Sequence, residues 1–232
     1  MIELSIEGEV AILALNRPGA RNAVNLEMCE EIISSLEKIR EARLVFVRGN
    51  GPAFCGGADL NERKGKSEDW IRARRLKAFA AYGALEALPM PCVALVHGAA
   101  IGSGVEIAAA CDFIVATPDA TFRTPEAQRG TVGATQRLPR ILGKRLAKDL
   151  MFTGRALTAA QALQVGFVSR VGDLETEKHE IAEAILKAPP LALKLAKRTI
   201  DRGVELDPAG ALQAEIEAIE EQLAAGQWMG KS

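Results

Sequence analysis

Apolar and polar positions alternate at the start of the chain, where Ile2, Leu4 and Ile6 are separated by polar residues. Residues 10–15 are an unbroken apolar run. Both segments predict strands. Asn16-Arg17-Pro18-Gly19 breaks the pattern, and Met28, Ile32, Leu36 and Ile39 then recur at helical spacing, predicting a helix over about 26–40. Short apolar runs at 44–47, 92–96 and 113–116 read as further strands, with 121–123 extended and 167–171 as the last strand. Between them lie a charged helix over about 67–87, stopped by Pro89 and Pro91, and an alanine-rich helix over 105–111. Thr124-Pro125-Glu126 looks like a helix start. Thr158 is placed to cap a short helix that stops at Gly166. Everything beyond Asp173 reads as helix. Strand–helix alternation followed by a helical tail predicts an α/β core over residues 1–172 and an all-helical region over 173–232.

Composition narrows the function classes. The 232 residues suffice for one large core, and 48% apolar with 25% charged residues is ordinary for a globular chain. Aromatic content is only 4%, so aliphatic side chains must fill the interior. A formal charge of −1 argues against broad binding to nucleic acid or acidic membranes. The first residues carry no signal-peptide pattern, and no apolar run nears the ~20 residues of a spanning helix. Cys29, Cys55, Cys92 and Cys111 are scattered without a CxxC pair, as expected of buried free thiols in a reducing, cytoplasmic setting. Two histidines, His97 and His179, leave no expectation of a histidine-rich metal site.

Candidate chemistry sits in two glycine-rich loops, each following a short apolar strand. One is Gly49-Asn50-Gly51-Pro52-Ala53-Phe54-Cys55-Gly56-Gly57-Ala58, the other His97-Gly98-Ala99-Ala100-Ile101-Gly102-Ser103-Gly104. Glycine lets backbone N–H groups approach a ligand closely. The second loop opens a helix, where free N–H groups favour negative charge. An N–H near Ala58 and one near Ser103 could together hold an oxyanion; plain turns account for the same glycines. Glu106 and Glu126 each fall in a predicted first helical turn, where the macrodipole alone favours a carboxylate. Two such carboxylates could also meet over one substrate, one accepting a proton and the other donating.

Phe54-Cys55-Gly56-Gly57-Ala58-Asp59-Leu60 resembles the first motif of the crotonase (enoyl-CoA hydratase/isomerase) superfamily, and His97 through Asp112 resembles the second. Asn16-Arg17-Pro18, Arg21-Asn22-Ala23, Thr121 through Glu126, and Thr153 through Ala159 match further family segments in order, so the likeness spans about residues 1–200. The resemblance implies a spiral of ββα units, with the C-terminal helices serving assembly into a trimer or a dimer of trimers. It implies an acyl-CoA substrate, no separate cofactor, and an oxyanion hole at the backbone N–H groups of Ala58 and Ser103. By the same likeness Glu106 acts as base on a water and Glu126 delivers a proton to Cα, which is enoyl-CoA hydration. Arg21, Ala23, Gly57, Asp59, Leu60, Asn61, Gly102 and Pro125 fall at the family's CoA- and substrate-binding positions. The alternatives are a double-bond isomerase, another branch of the family, or an inactive or RNA-binding scaffold.

The chain departs from the family pattern at three places. Ser103 replaces a common middle glycine. The loop after Glu126, Gly130 through Arg137, looks about three residues short, in the segment that shapes the acyl pocket. The family's basic-aromatic tail ends early, at Gln227 through Ser232. Arg72, Arg74, Arg75 and Lys77 form a basic cluster on the long helix, read as a solvated face or as a contact for CoA phosphates. His97 reads as a loop-packing residue and Asp112 as a cap or buried acceptor. A nicotinamide fingerprint fails because Ile107 stands where a small residue is required, and GxSxG is absent around Ser103.

Overall fold

The computed structural model describes residues 1–226; the expectation about the tail at 227–232 lies outside the described residues. Strands β1 (Ile2–Glu7), β2 (Val10–Leu15), β3 (Leu44–Gly49), β4 (Cys92–Val96), β6 (Phe113–Ala116) and β9 (Arg170–Val171) form a six-stranded sheet in the order β1-β2-β3-β4-β6-β9. Only β1 runs antiparallel to its neighbour. A second, three-stranded sheet joins β5 (Ala99–Ile101), β7 (Thr121–Arg123) and β8 (Ala156–Thr158).

Helices follow in register with the strands: α1 (Leu26–Glu37), α2 (Glu68–Glu86), α3 (Ser103–Ala109), α4 (Arg137–Thr153) and α5 (Ala159–Gln164). Each pass of the chain lays a strand in the large sheet, then a segment of the second layer, then a helix. The second layer begins as single bridges, Val24 with Ala58 and Cys55 with Ala100, before it widens into β5, β7 and β8. This is the expected α/β spiral of ββα units.

Period-two alternation decides which side chain enters which layer. Leu13, Val45, Ala94 and Ile114 point into the main core between the sheet and helices α1 and α2. Ile12, Phe46, Val93 and Val115 point to the opposite face. That face is covered by α6 (Leu174–Lys187), whose Ile181 is buried against it. Both faces are therefore dry, which is why β2, β3 and β4 read as continuous apolar runs. α6 thus completes the core, while α7 (Pro190–Gly203) and α8 (Pro208–Ala224) pair with each other beyond it. Helix starts follow their caps: Asn25 accepts from the Met28 amide at 3.0 Å, and Thr158 with Gln161 forms a capping box.

Four sequence expectations change. The first helix stops at Glu37, and the last strand shrinks to two residues because 167 and 168 turn inward to bond the Ala162 carbonyl. Strand β5 lies inside what reads as plain glycine loop, since its pairing partner β7 is about twenty residues away in sequence. Thr124-Pro125-Glu126 does not start a helix. Glu126 opens a single 3-10 turn, Ala127–Arg129, which Gly130 closes.

Candidate active site

The two glycine-rich loops zip together. Phe54 N donates to His97 O at 3.0 Å, Cys55 N to Ala99 O at 3.1 Å, and Ile101 N to Cys55 O at 2.9 Å. Gly104 permits this contact, because a Cβ there would lie 2.5 Å from the Cys55 carbonyl oxygen. Asn22, fully buried, pins the first loop: its Nδ2 donates to the carbonyls of Asn50, Ala53 and Phe54 at 2.8, 2.9 and 3.2 Å. The Arg21-Asn22-Ala23 segment therefore has a structural job that its spacing did not announce.

Zipping leaves the Ala58 and Ser103 amides without a backbone acceptor among the described residues. The bridge to Val24 uses the Gly57 carbonyl and the Asp59 amide, so the Ala58 N–H between them faces the other edge. Ser103 supplies the first N–H of α3, which has no intrahelical acceptor. Among the described residues neither amide has a hydrogen-bond acceptor, and both residues line one cavity of about 140 Å³.

Both glutamates reach the same cavity. Glu106, 8% exposed, accepts from the Ala134 amide at 3.1 Å. Burial pushes its carboxyl above the ordinary range, and the neighbouring Glu126 charge adds to that; the Ala134 amide, Arg137 and Arg75 oppose it. Glu126 is also pushed up, chiefly by burial, against the pull of its own backbone amide, Arg129 and Arg75. Its Oε2 is enclosed with no hydrogen-bond partner. Gly102 is what admits it: the backbone there is left-handed at φ 52°, and a Cβ would lie 2.7 Å from Glu126 Oε1. The short loop after Glu126 does double duty, with Gly133 against the Glu126 side chain and Ala134 bonded to Glu106.

Of the other residues singled out in the sequence, Gly57, Leu60, Gly102 and Pro125 line the cavity. Arg21, Ala23, Asp59 and Asn61 stand outside its wall. Asp59 pairs with Arg17 at 3.1 Å and accepts from the Asn61 amide at 3.0 Å. The basic cluster is not one surface. Arg72 is exposed and pairs with Asp69, whereas Arg74, 2% exposed, is locked between Glu62 and the Val24 carbonyl. Arg75 lines the cavity and bonds the Thr131 hydroxyl.

Sequence reasoning missed Tyr82 and Arg129 on the cavity wall; Thr131 lies in the loop expected to shape the acyl pocket, and Arg63 also lines the cavity. Tyr82 is 1% exposed, with its hydroxyl beside Ser103 but without a well-formed hydrogen bond. A polar tip on an otherwise apolar helix face was the only signal for it. His97 bonds the Gly51 carbonyl at 2.8 Å, and Asp112 accepts from the Cys92 amide and from Lys197. Both serve the framework.

The profile of the enoyl-CoA hydratase/isomerase family matches residues 5–227. The chain is 37% identical over 228 residues to the short-chain-enoyl-CoA hydratase of Clostridium acetobutylicum, covering 94% of this chain and 87% of that one. It superposes on an enoyl-CoA hydratase from Bacillus anthracis with TM-score 0.91 at 35% identity, covering 94% and 89% of the two chains. A Thermobifida fusca structure in complex with acetoacetyl-CoA gives TM-score 0.89 at 27% identity, covering 97% and 95%.

Proposed function

The chain belongs to the enoyl-CoA hydratase/isomerase family, and from that premise we propose that it adds water across the double bond of a 2-enoyl-CoA. The observation that carries this reading is the meeting of two enclosed carboxylates and two acceptor-free amides on one cavity. The thioester oxygen accepts from the N–H groups of Ala58 and Ser103. Water attacks Cβ while Glu106 takes its proton; the π electrons move to the thioester oxygen as an enolate, and Glu126 returns a proton to Cα.

The surroundings of the carboxylates support that division of labour. Glu106 receives an N–H from Ala134, which favours its anionic, basic form. Glu126 Oε2 receives nothing, which favours a retained proton. A double-bond shift needs only one proton carrier at a time, so enclosure of both carboxylates favours hydration. In this proposal Gly57, Leu60, Gly102 and Pro125 line the acyl end of the substrate path, and Arg21, Ala23, Asp59 and Asn61, outside the cavity wall, lie along the CoA arm. No helix among the described residues is long and apolar enough to cross a membrane. Four buried free cysteines accord with a reducing, cytoplasmic setting. Exposed Ile200, Val204, Ile216 and Leu223 on α7 and α8 support self-association, as a trimer or a dimer of trimers.

The test is Glu126→Gln assayed on crotonyl-CoA at the enone absorbance. The expected result is a fall of about 10²–10⁴ in kcat with crotonyl-CoA binding retained. Undiminished hydration would remove the role assigned to Glu126.

A further inference from the structure

The cavity carries more positive charge than its own carboxylates account for. Its wall holds Arg63, Arg74, Arg75 and Arg129 against Glu106 and Glu126. Arg74 is already neutralised by Glu62, so three guanidiniums face two carboxylates. Among the described residues Arg63 forms no ion pair, and its Nε is enclosed without any hydrogen-bond partner. Arg75 has one neutral partner, the Thr131 hydroxyl. Burial, then repulsion from Arg74 and Arg75, lowers the proton affinity of Arg63 against the opposing pull of Glu62 and Tyr82, so these cations crowd one another on a half-buried stretch of the wall. Holding them there unpaired is unfavourable, and an incoming anion relieves it.

The position of Arg75 says which part of a ligand that anion belongs to. Arg75 holds down the proton affinity of both Glu106 and Glu126, and its partner Thr131 lies on the loop that bears Gly133 and Ala134. It therefore stands near the reacting carbons, whereas the phosphates of CoA hang at the far end of the pantetheine arm. We propose that Arg63 and Arg75, with the Thr131 hydroxyl, bind a carboxylate carried by the acyl group, so that the substrate is the CoA thioester of an unsaturated dicarboxylic acid. Guanidinium forks suit a carboxylate in geometry as well as in charge.

This inference rests on the acyl-CoA reading above but not on hydration, and the experiment keeps the two apart. Binding of two non-reacting saturated thioesters, glutaryl-CoA and butyryl-CoA, is measured calorimetrically on the full chain and on Arg63→Gln, Arg63→Lys and Arg75→Gln. The wild-type chain is expected to bind glutaryl-CoA about tenfold tighter or more. Each glutamine variant should shrink that ratio several-fold, and Arg63→Lys should restore part of it. Equal wild-type affinities overturn the proposal without any variant. A parallel loss for both thioesters in Arg63→Gln also overturns it, because that pattern means a phosphate contact. Absence of binding by either thioester overturns it together with the acyl-CoA reading. A chain that fails to hydrate crotonyl-CoA yet prefers glutaryl-CoA sinks the hydratase reading and leaves this one standing.

Discussion

The two walls of the cavity are built on opposite principles. On one side the paired glycine loops are backbone matter: amides bond carbonyls across the seam, Asn22 bonds three further carbonyls, and the Ala58 and Ser103 N–H groups on the cavity side have no acceptor among the described residues. On the other side Glu106, Glu126, Arg63, Arg75 and Arg129 present titratable or charged side chains, and Arg63 Nε and Glu126 Oε2 are enclosed without partners. The first wall is satisfied by the fold itself and holds donors in fixed positions, which is what stabilising a developing oxyanion requires. The second wall is left electrostatically unfinished, which is a poor way to gain stability and a good way to select a ligand.

Substitutions can separate the two walls. Gly102 is where they touch, and Gly102→Ala puts a methyl group into the space of Glu126 Oε1. Displacing that carboxylate by about 1 Å should lower kcat roughly a hundredfold, read by steady-state hydration, with acyl-CoA affinity nearly unchanged. Equal loss in binding and turnover would mean that the substitution disturbed the amide wall instead. Gly104→Ala strikes the amide wall alone, because its methyl meets the backbone carbonyl of Cys55. Overpacking of this kind costs about 1–3 kcal/mol, which urea denaturation measures; a variant as stable as the parent would show the loops to be less tightly zipped than described.

Glu106→Gln probes the charged wall with the smallest stability effect, and with the opposite sign. Burial raises the folded-state pKa of Glu106 above its ordinary 4.5. The folded chain thus holds that proton more tightly than the unfolded chain. Its stability contribution is complete below about pH 4.5 and is lost as pH rises through the raised folded value. Glutamine keeps the acceptor for Ala134 and has no proton to lose. The variant and its parent should melt together near pH 4, and the variant should melt higher at pH 8. A parent that melts higher at pH 8 would place Glu106 in a well-compensated ion pair.

Much of this arrangement was legible beforehand, for physical reasons that differ by element. The strands at 10–15, 44–47 and 92–96 showed as apolar runs because both faces of the sheet are covered. Helix α5 announced itself through Thr158, whose side-chain cap is a local interaction. Glu106, Glu126, Gly57 and Gly102 stood out through motif likeness, and all four meet at the cavity. What stayed hidden depends on long-range neighbours. Arg74 and Arg75 are adjacent on one helix, share one side-chain chemistry and both line the cavity, yet Arg74 is neutralised by Glu62 while Arg75 meets only the Thr131 hydroxyl.

Sequence alone determined the layers, the glycines that allow two loops to approach, and the residue types able to move a proton. Those properties follow from period, Cβ sterics and side-chain chemistry, none of which needs a distant partner. Tertiary structure alone decided that the Ala58 and Ser103 amides go unused, that Ala134 reaches Glu106, and that Glu126 Oε2 and Arg63 Nε are enclosed without partners. Whether a polar group is satisfied is a property of the space around it, and that space exists only once segments about twenty to fifty residues apart have closed upon one another.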